Sequence, residues 1–212
     1  MEEFITIKEN TEYVLTEKKS KFIANLIKIE SLEEAEKVIK KYKKQYHDAR
    51  PNCIAYRVLE NDQIIEKSSD DGEPSGTAGA PMLNILQKNN LCNVLIIVTR
   101  YFGGILLGTG GLVRAYSDSL TCAIDIATKV DQTVGIEMEA TIDYAEFEKF
   151  QYYCRINNIE IKNVNYLENI ICRILLQENK KDKLLEDFQN KSLNIIKLED
   201  FGKTIMAKSK LN

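Results

Sequence analysis

The stretch Asn93-Val94-Leu95-Ile96-Ile97-Val98-Thr99-Arg100-Tyr101-Phe102-Gly103-Gly104-Ile105-Leu106-Leu107-Gly108-Thr109-Gly110-Gly111-Leu112-Val113-Arg114 sets the architecture around it. Asn93 to Thr99 is almost wholly β-branched and aliphatic, which predicts a strand buried on both faces. Glycines then cluster from Gly103 to Gly111, and Leu112 to Ala127 carries a helical pattern. Upstream, Thr77 to Lys88 predicts another helix with Pro81 in its first turns. This order implies two parallel-looking α/β units around one sheet.

Toward the N-terminus, Phe4 to Ile7, Thr11 to Leu15 and Lys21 to Ile29 read as strands. Ser31-Leu32-Glu33-Glu34 is a capping box, and Leu32, Ala35, Val38, Ile39 and Tyr42 follow at helical spacing. Lys40, Lys41, Lys43 and Lys44 cover the other side, the pattern of a solvated helix face. Cys53 to Leu59 and Gln63 to Ser68 are strands joined by the turn-like Glu60-Asn61-Asp62. The polar stretch Lys129 to Thr133 marks a boundary between domains at 1–130 and 134–204. Beyond it, strands Gly135 to Ile142, Glu160 to Tyr166, Asn169 to Gln177 and Leu193 to Glu199 alternate with helices Tyr144 to Asn157 and Lys180 to Gln189. Tyr166-Leu167-Glu168-Asn169 joins the middle two strands, and the βαββαβ order is that of a ferredoxin-like unit. The whole chain is therefore expected to be α+β.

The chain of 212 residues is long enough to bury real cores without disulfides or metal. Lys and Arg number 29 against 32 Asp and Glu, split 17 against 18 through Val130 and 12 against 14 after it, which excludes a polycation. Cys53, Cys92, Cys122, Cys154 and Cys172 are odd in number and scattered, as free thiols of a reducing cytosol are. Met1-Glu2-Glu3-Phe4 lacks the features of a signal peptide, and Val94 to Val98 is too short to span a bilayer. A cytoplasmic protein with no membrane partner is expected.

All three prolines lie between Pro51 and Pro81 and eight of ten glycines between Gly72 and Gly111, so the special loops sit mid-chain. One is Ser68-Ser69-Asp70-Asp71-Gly72-Glu73-Pro74-Ser75-Gly76-Thr77-Ala78-Gly79. Its carboxylates and hydroxyls can hold a hard cation, although the spacing is not that of an EF-hand. Equally they can cap the following helix, with Ser75 or Thr77 accepting an orphan N–H and Asp70, Asp71 and Glu73 near its positive end. The other is the glycine loop of the opening stretch, which is neither a P-loop nor a dinucleotide fingerprint. In one reading it cradles an anion, with Arg100 and Arg114 pairing a phosphate and Tyr101 and Phe102 stacking on a base. In the other it packs strand on helix, with Phe102 in the core and Arg114 pairing Asp118.

Conventional catalytic sets are thin. His47 is the only histidine, which excludes a multi-histidine metal site, and Ser75 lacks a GxSxG elbow. A Cys53–His47 pair is the remaining nucleophilic arrangement, against the commoner buried free cysteine.

Asp70-Asp71-Gly72-Glu73-Pro74-Ser75-Gly76-Thr77-Ala78-Gly79, Arg100-Tyr101-Phe102-Gly103-Gly104, and Gly108-Thr109-Gly110-Gly111-Leu112-Val113-Arg114-Ala115-Tyr116 together resemble the IMPACT/YigZ family, as does Ser20-Lys21-Phe22. The resemblance implies an N-terminal α/β domain like the second domain of a small-subunit ribosomal protein, then a ferredoxin-like domain. It also implies a link to translation, which eukaryotic relatives regulate by interfering with activation of a stress kinase. One departure concerns the histidine-bearing stretch that the family often shows. Here it reads Tyr46-His47-Asp48-Ala49-Arg50-Pro51, and His47 stands one residue off the family's position.

The expectation is a non-enzymatic, cytoplasmic, translation-linked regulator with no catalytic residues, metal or cofactor. It would bind RNA, the ribosome or a translation-control protein through Asp70, Asp71, Glu73, Ser75, Thr77, Arg100, Tyr101, Gly103, Gly104, Thr109, Gly110, Gly111 and Arg114. The alternative is an enzyme for a small phosphorylated or acidic substrate, with Asp70, Asp71 and Glu73 on a divalent cation.

Overall fold

The computed structural model describes residues 3–49, 51–61 and 63–207. Met1, Glu2, Arg50 and the Asp62 of the expected turn lie outside these residues. The chain divides into two compact units, one over Glu3–Asp131 and one beginning at Gln132.

In the first unit, strand β1 (Glu3–Ile7) precedes the hairpin β2 (Thr11–Glu17) and β3 (Ser20–Lys28). Helix α1 (Leu32–Gln45) leads to a second hairpin, β4 (Asn52–Glu60) and β5 (Gln63–Ser69). Helix α2 (Gly79–Lys88), strand β6 (Val94–Tyr101) and helix α3 (Gly108–Ile126) follow. The sheet order is β2-β3-β6-β4-β5, and every pairing is antiparallel.

That pairing corrects the expected parallel units. The crossovers through α1 and α2 do join strands that run the same way, β3 to β4 and β5 to β6. In each case an antiparallel strand sits between the two. The misleading signal was the unbroken apolar run of β6, which reflects burial on both faces rather than parallel pairing. Val94, Ile96 and Val98 pack with Phe22, Leu26, Met82 and Leu120 on one face. Leu95 and Ile97 pack with Ile27, Ile54, Ala35 and Val38 on the other, beneath α1.

The caps explain the helix limits. Ser31 Oγ accepts from Glu34 N at 3.2 Å, the hydroxyl half of the expected capping box, while Glu34 Oε2 accepts at 2.8 Å from the N–H of Glu30, one residue before the cap. Helix α3 begins at Gly108, four residues before the expected start, so Thr109, Gly110 and Gly111 form its first turn.

The second unit runs β7 (Lys129–Ile142), a short 3-10 turn at Tyr144–Glu146, α4 (Phe147–Ile156), β8 (Glu160–Tyr166), β9 (Ile170–Gln177), α5 (Glu178–Gln189) and β10 (Ile195–Ala207). Its strands lie in the order β10-β7-β9-β8, all antiparallel, the ferredoxin-like arrangement. Met138, Ala140, Cys172 and Ile174 meet Phe150, Cys154 and Leu184 of the helices. The polar stretch Lys129 to Thr133 is strand rather than loop, because β-structure tolerates alternating exposed polar residues. Among the described residues no helix is long and apolar enough to cross a membrane.

Candidate functional site

The topology gathers the central motifs at one end of the first unit's sheet. The start of β3, the start of β4, the end of β5 and the end of β6 all lie there, since both β3 and β4 run antiparallel to β6. The loops that open α2 and α3 leave from the same end.

In the first loop, Asp70 takes the part that Ser75 and Thr77 were expected to play. Its Oδ2 accepts from Gly76 N at 2.8 Å, and its Oδ1 accepts from Ala78 N at 3.0 Å and Gly79 N at 2.8 Å. Burial pushes this carboxyl up, but the three N–H donors outweigh burial and hold it below its ordinary range. A carboxylate satisfies orphan N–H groups better than a hydroxyl does. Thr77 Oγ1 instead donates to the Pro74 carbonyl at 2.7 Å, while Ser75 stands exposed.

The other two carboxylates turn elsewhere. Asp71 receives Lys43 Nζ at 2.8 Å and Asn52 N at 2.9 Å. Glu73 Oε1 receives Arg100 Nη1 at 2.7 Å and the Tyr116 hydroxyl at 2.9 Å. Three carboxylates, each serving its own set of donors, do not converge on a cation. Among the described residues, no cluster of His, Cys, Asp and Glu is placed to hold a metal ion.

Arg100 departs most from expectation. Rather than flanking the loop as a free cation, it is 8% exposed and neutralised by Glu73. Its guanidinium lies between the Phe22 and Phe102 rings, 5.5 and 5.4 Å from their centroids. The apolar strand that carries it directs alternate side chains inward, and position 100 falls on the inward face with Val98 and Phe22. Beneath it, Tyr116 and Cys53 are fully buried, and Cys53 Sγ donates to the Asp70 carbonyl at 3.0 Å. Burial pushes the Cys53 thiol up to about 12, and burial followed by Cys53 and Glu73 pushes the Tyr116 phenol up as well. With His47 exposed on the turn after α1, a Cys53–His47 nucleophile is not formed.

The surface above this network belongs to the second loop. Phe102, Ile105 and Leu106 are exposed, at 57%, 43% and 83%. Phe102 is thus not in the core, because its neighbour Gly103 is pressed against the β2–β3 turn. A Cβ on Gly103 would lie 2.0 Å from the Lys19 carbonyl carbon, and Gly103 N donates to Ser20 Oγ at 3.1 Å. Gly104 and Gly108 have φ of 84° and 71°, the left-handed region that favours glycine. Tyr101 donates to Asp48 Oδ1 at 3.2 Å and is half-buried.

Helix α3 then starts without a side-chain cap, with Thr109 and Gly110 exposed and Gly111 half-buried. Arg114 is exposed and makes no ion pair among the described residues, Asp118 included. Sequence reasoning missed the roles of Ser20, Cys53 and Tyr116 and the nearness of Lys18 and Lys19. The one available signal was a tyrosine at helical spacing between Leu112 and Leu120, which puts a hydroxyl in the core where it needs a partner.

Residues 18–124 match the Impact N-terminal domain, and residues 141–192 match a domain of unknown function, DUF1949. The chain belongs to the IMPACT family. The IMPACT family member YvyE of Bacillus subtilis (strain 168) is 39% identical over 183 residues, 86% of this chain and 84% of the relative. The IMPACT family member YigZ of Escherichia coli (strain K12) is 33% identical over 187 residues, 86% of this chain and 92% of the relative. A crystal structure described as that of a hypothetical protein superposes with TM-score 0.63 at 30% identity, covering all of both chains. The Impact N-terminal match encloses the Asp70 cap and the Glu73–Arg100–Tyr116 network of this IMPACT-family chain, along with the exposed loop above them.

Proposed function

We propose that this IMPACT-family protein is a non-enzymatic, cytoplasmic, translation-linked binding protein that contacts RNA, the ribosome's above all. Its contact surface is the Phe102–Gly111 loop with Arg114. The observation that carries this reading is the exposure of Phe102, Ile105 and Leu106 beside the uncapped start of α3 and the unpaired Arg114. Aromatic and cationic groups side by side suit nucleic acid, since one takes a base and the other a phosphate. Asp70, Asp71, Glu73, Thr77, Arg100, Tyr101 and Gly103 act as the brace that holds the surface in place, while Gly104, Thr109, Gly110 and Gly111 belong to it. Family membership supports the link to translation.

Sedimentation of tagged protein in fresh lysate tests the reading, at low and high salt and with or without RNase. Co-migration with ribosomal particles that is lost at high salt is expected, because phosphate contacts release counterions. Phe102→Ala and Arg114→Ala should each weaken it while folding is retained. Migration only as free protein at every salt would overturn the reading.

A further inference from the structure

We propose that the two-residue turn Lys18-Lys19 is a phosphate-contacting element for single-stranded RNA, acting together with the exposed ring of Phe102. The inference rests on the RNA reading above and names residues that reading does not include. Register pairs Glu17 with Ser20, leaving Lys18 and Lys19 as the whole loop between β2 and β3. Their φ angles are 45° and 67°. Such a loop favours Asn-Gly, because a side chain at positive φ crowds its own backbone. Two lysines here work against stability, and both are exposed with no ion pair among the described residues. Nor does general basicity account for them, the chain's net charge being −3.

What the strained turn provides is fixed position. The backbone of Lys19 is packed on Gly103, where a Cβ would come within 2.0 Å, and Ser20 Oγ accepts from Gly103 N at 3.1 Å. The backbone that carries the two lysines is thereby anchored against Gly103, the residue next to Phe102 in the chain. Arg100 lies over that ring at 5.4 Å, and 57% of the residue remains open to solvent. A ring stacked on a cation below and open above can take an unpaired base, with phosphates reaching the lysines. Duplex RNA would hide its base faces from such a ring, so the ligand class is single-stranded.

The test is anisotropy of a short fluorescein-labelled oligouridylate across a salt series, with the full chain and its Lys18→Asn/Lys19→Gly variant. The variant is expected to melt about 2–4 °C higher, because Asn-Gly relieves the turn. It is also expected to bind on the order of tenfold more weakly. Its plot of log affinity against log salt should be shallower by about 1.4, two single-strand phosphate contacts at about 0.7 each. Lys18→Arg/Lys19→Arg should bind as the unmodified chain does. Unchanged affinity and slope in the Asn-Gly variant, with the unmodified chain binding, would overturn the role of the turn alone. No binding by the unmodified chain at low salt would overturn the RNA reading itself. Tighter binding of labelled polyglutamate than of oligouridylate, lost in the Asn-Gly variant, would overturn the choice of RNA in favour of an acidic protein.

Discussion

Arg100 Nη1 donates to Glu73 Oε1 at 2.7 Å, with both side chains nine-tenths or more buried. The pair ties the end of β6 to the loop before α2, and Tyr116 extends it into α3 through the same carboxylate oxygen. Two surface-forming loops are thus locked by charges that solvent scarcely reaches.

Breaking that pair from one side leaves a buried charge alone. Glu73→Ala is therefore expected to lower unfolding free energy by about 3–5 kcal/mol. Arg100→Met/Glu73→Leu should cost much less than the sum of its single changes, since neither charge is orphaned. Urea titration of the single and double variants measures the difference. Loss of the proposed RNA contact in Arg100→Ala would accordingly report on the fold, whereas its loss in Arg114→Ala would report on the surface.

Asp70 makes stability depend on acid. A carboxyl whose folded pKa lies below its unfolded value adds stability that is complete above the unfolded value and is lost as pH falls through the folded one. The ordinary value is 3.8 and the shift is downward, so the loss falls below about pH 4. Asp70→Asn should cost about 1–2 kcal/mol at neutral pH, as the loss of a good helix cap does. Its acid unfolding limb should also be flatter, and thermal melts across the acid range would show both.

Two glycines of the second loop should respond in opposite directions. Gly103→Ala places a carbon 2.0 Å from the Lys19 carbonyl carbon, so one backbone must move, at a cost of about 1–3 kcal/mol or more. Gly110 lies in the first turn of α3 with nothing within 4 Å of an added Cβ. Gly110→Ala should stabilise by up to about 1 kcal/mol. If the proposed RNA contact passes over α3's first turn, that stabilised protein should bind more weakly, which anisotropy would read directly.

The sequence alone determined the α+β class, the ferredoxin-like order of the second unit and the mid-chain stretch in which the special loops lie. Periodicity, turn residues and the Ser31–Glu34 capping box are local signals, and local signals survive in a string of letters. Only the tertiary structure decided that β6 lies antiparallel between β3 and β4, since burial on both faces is compatible with either direction. It also decided that Arg100 faces Glu73 rather than a ligand, that Asp70 rather than Thr77 caps α2, and that Lys19 sits under Gly103. The strand pairing, the Arg100–Glu73 pair and the Lys19–Gly103 contact join residues far apart in the chain, and the Asp70 cap closes a loop of six to nine residues, through charge neutralisation, hydrogen bonding or the room left by a missing Cβ. Which side chains those forces leave buried, and which they leave for a partner, is fixed only when the strands have paired.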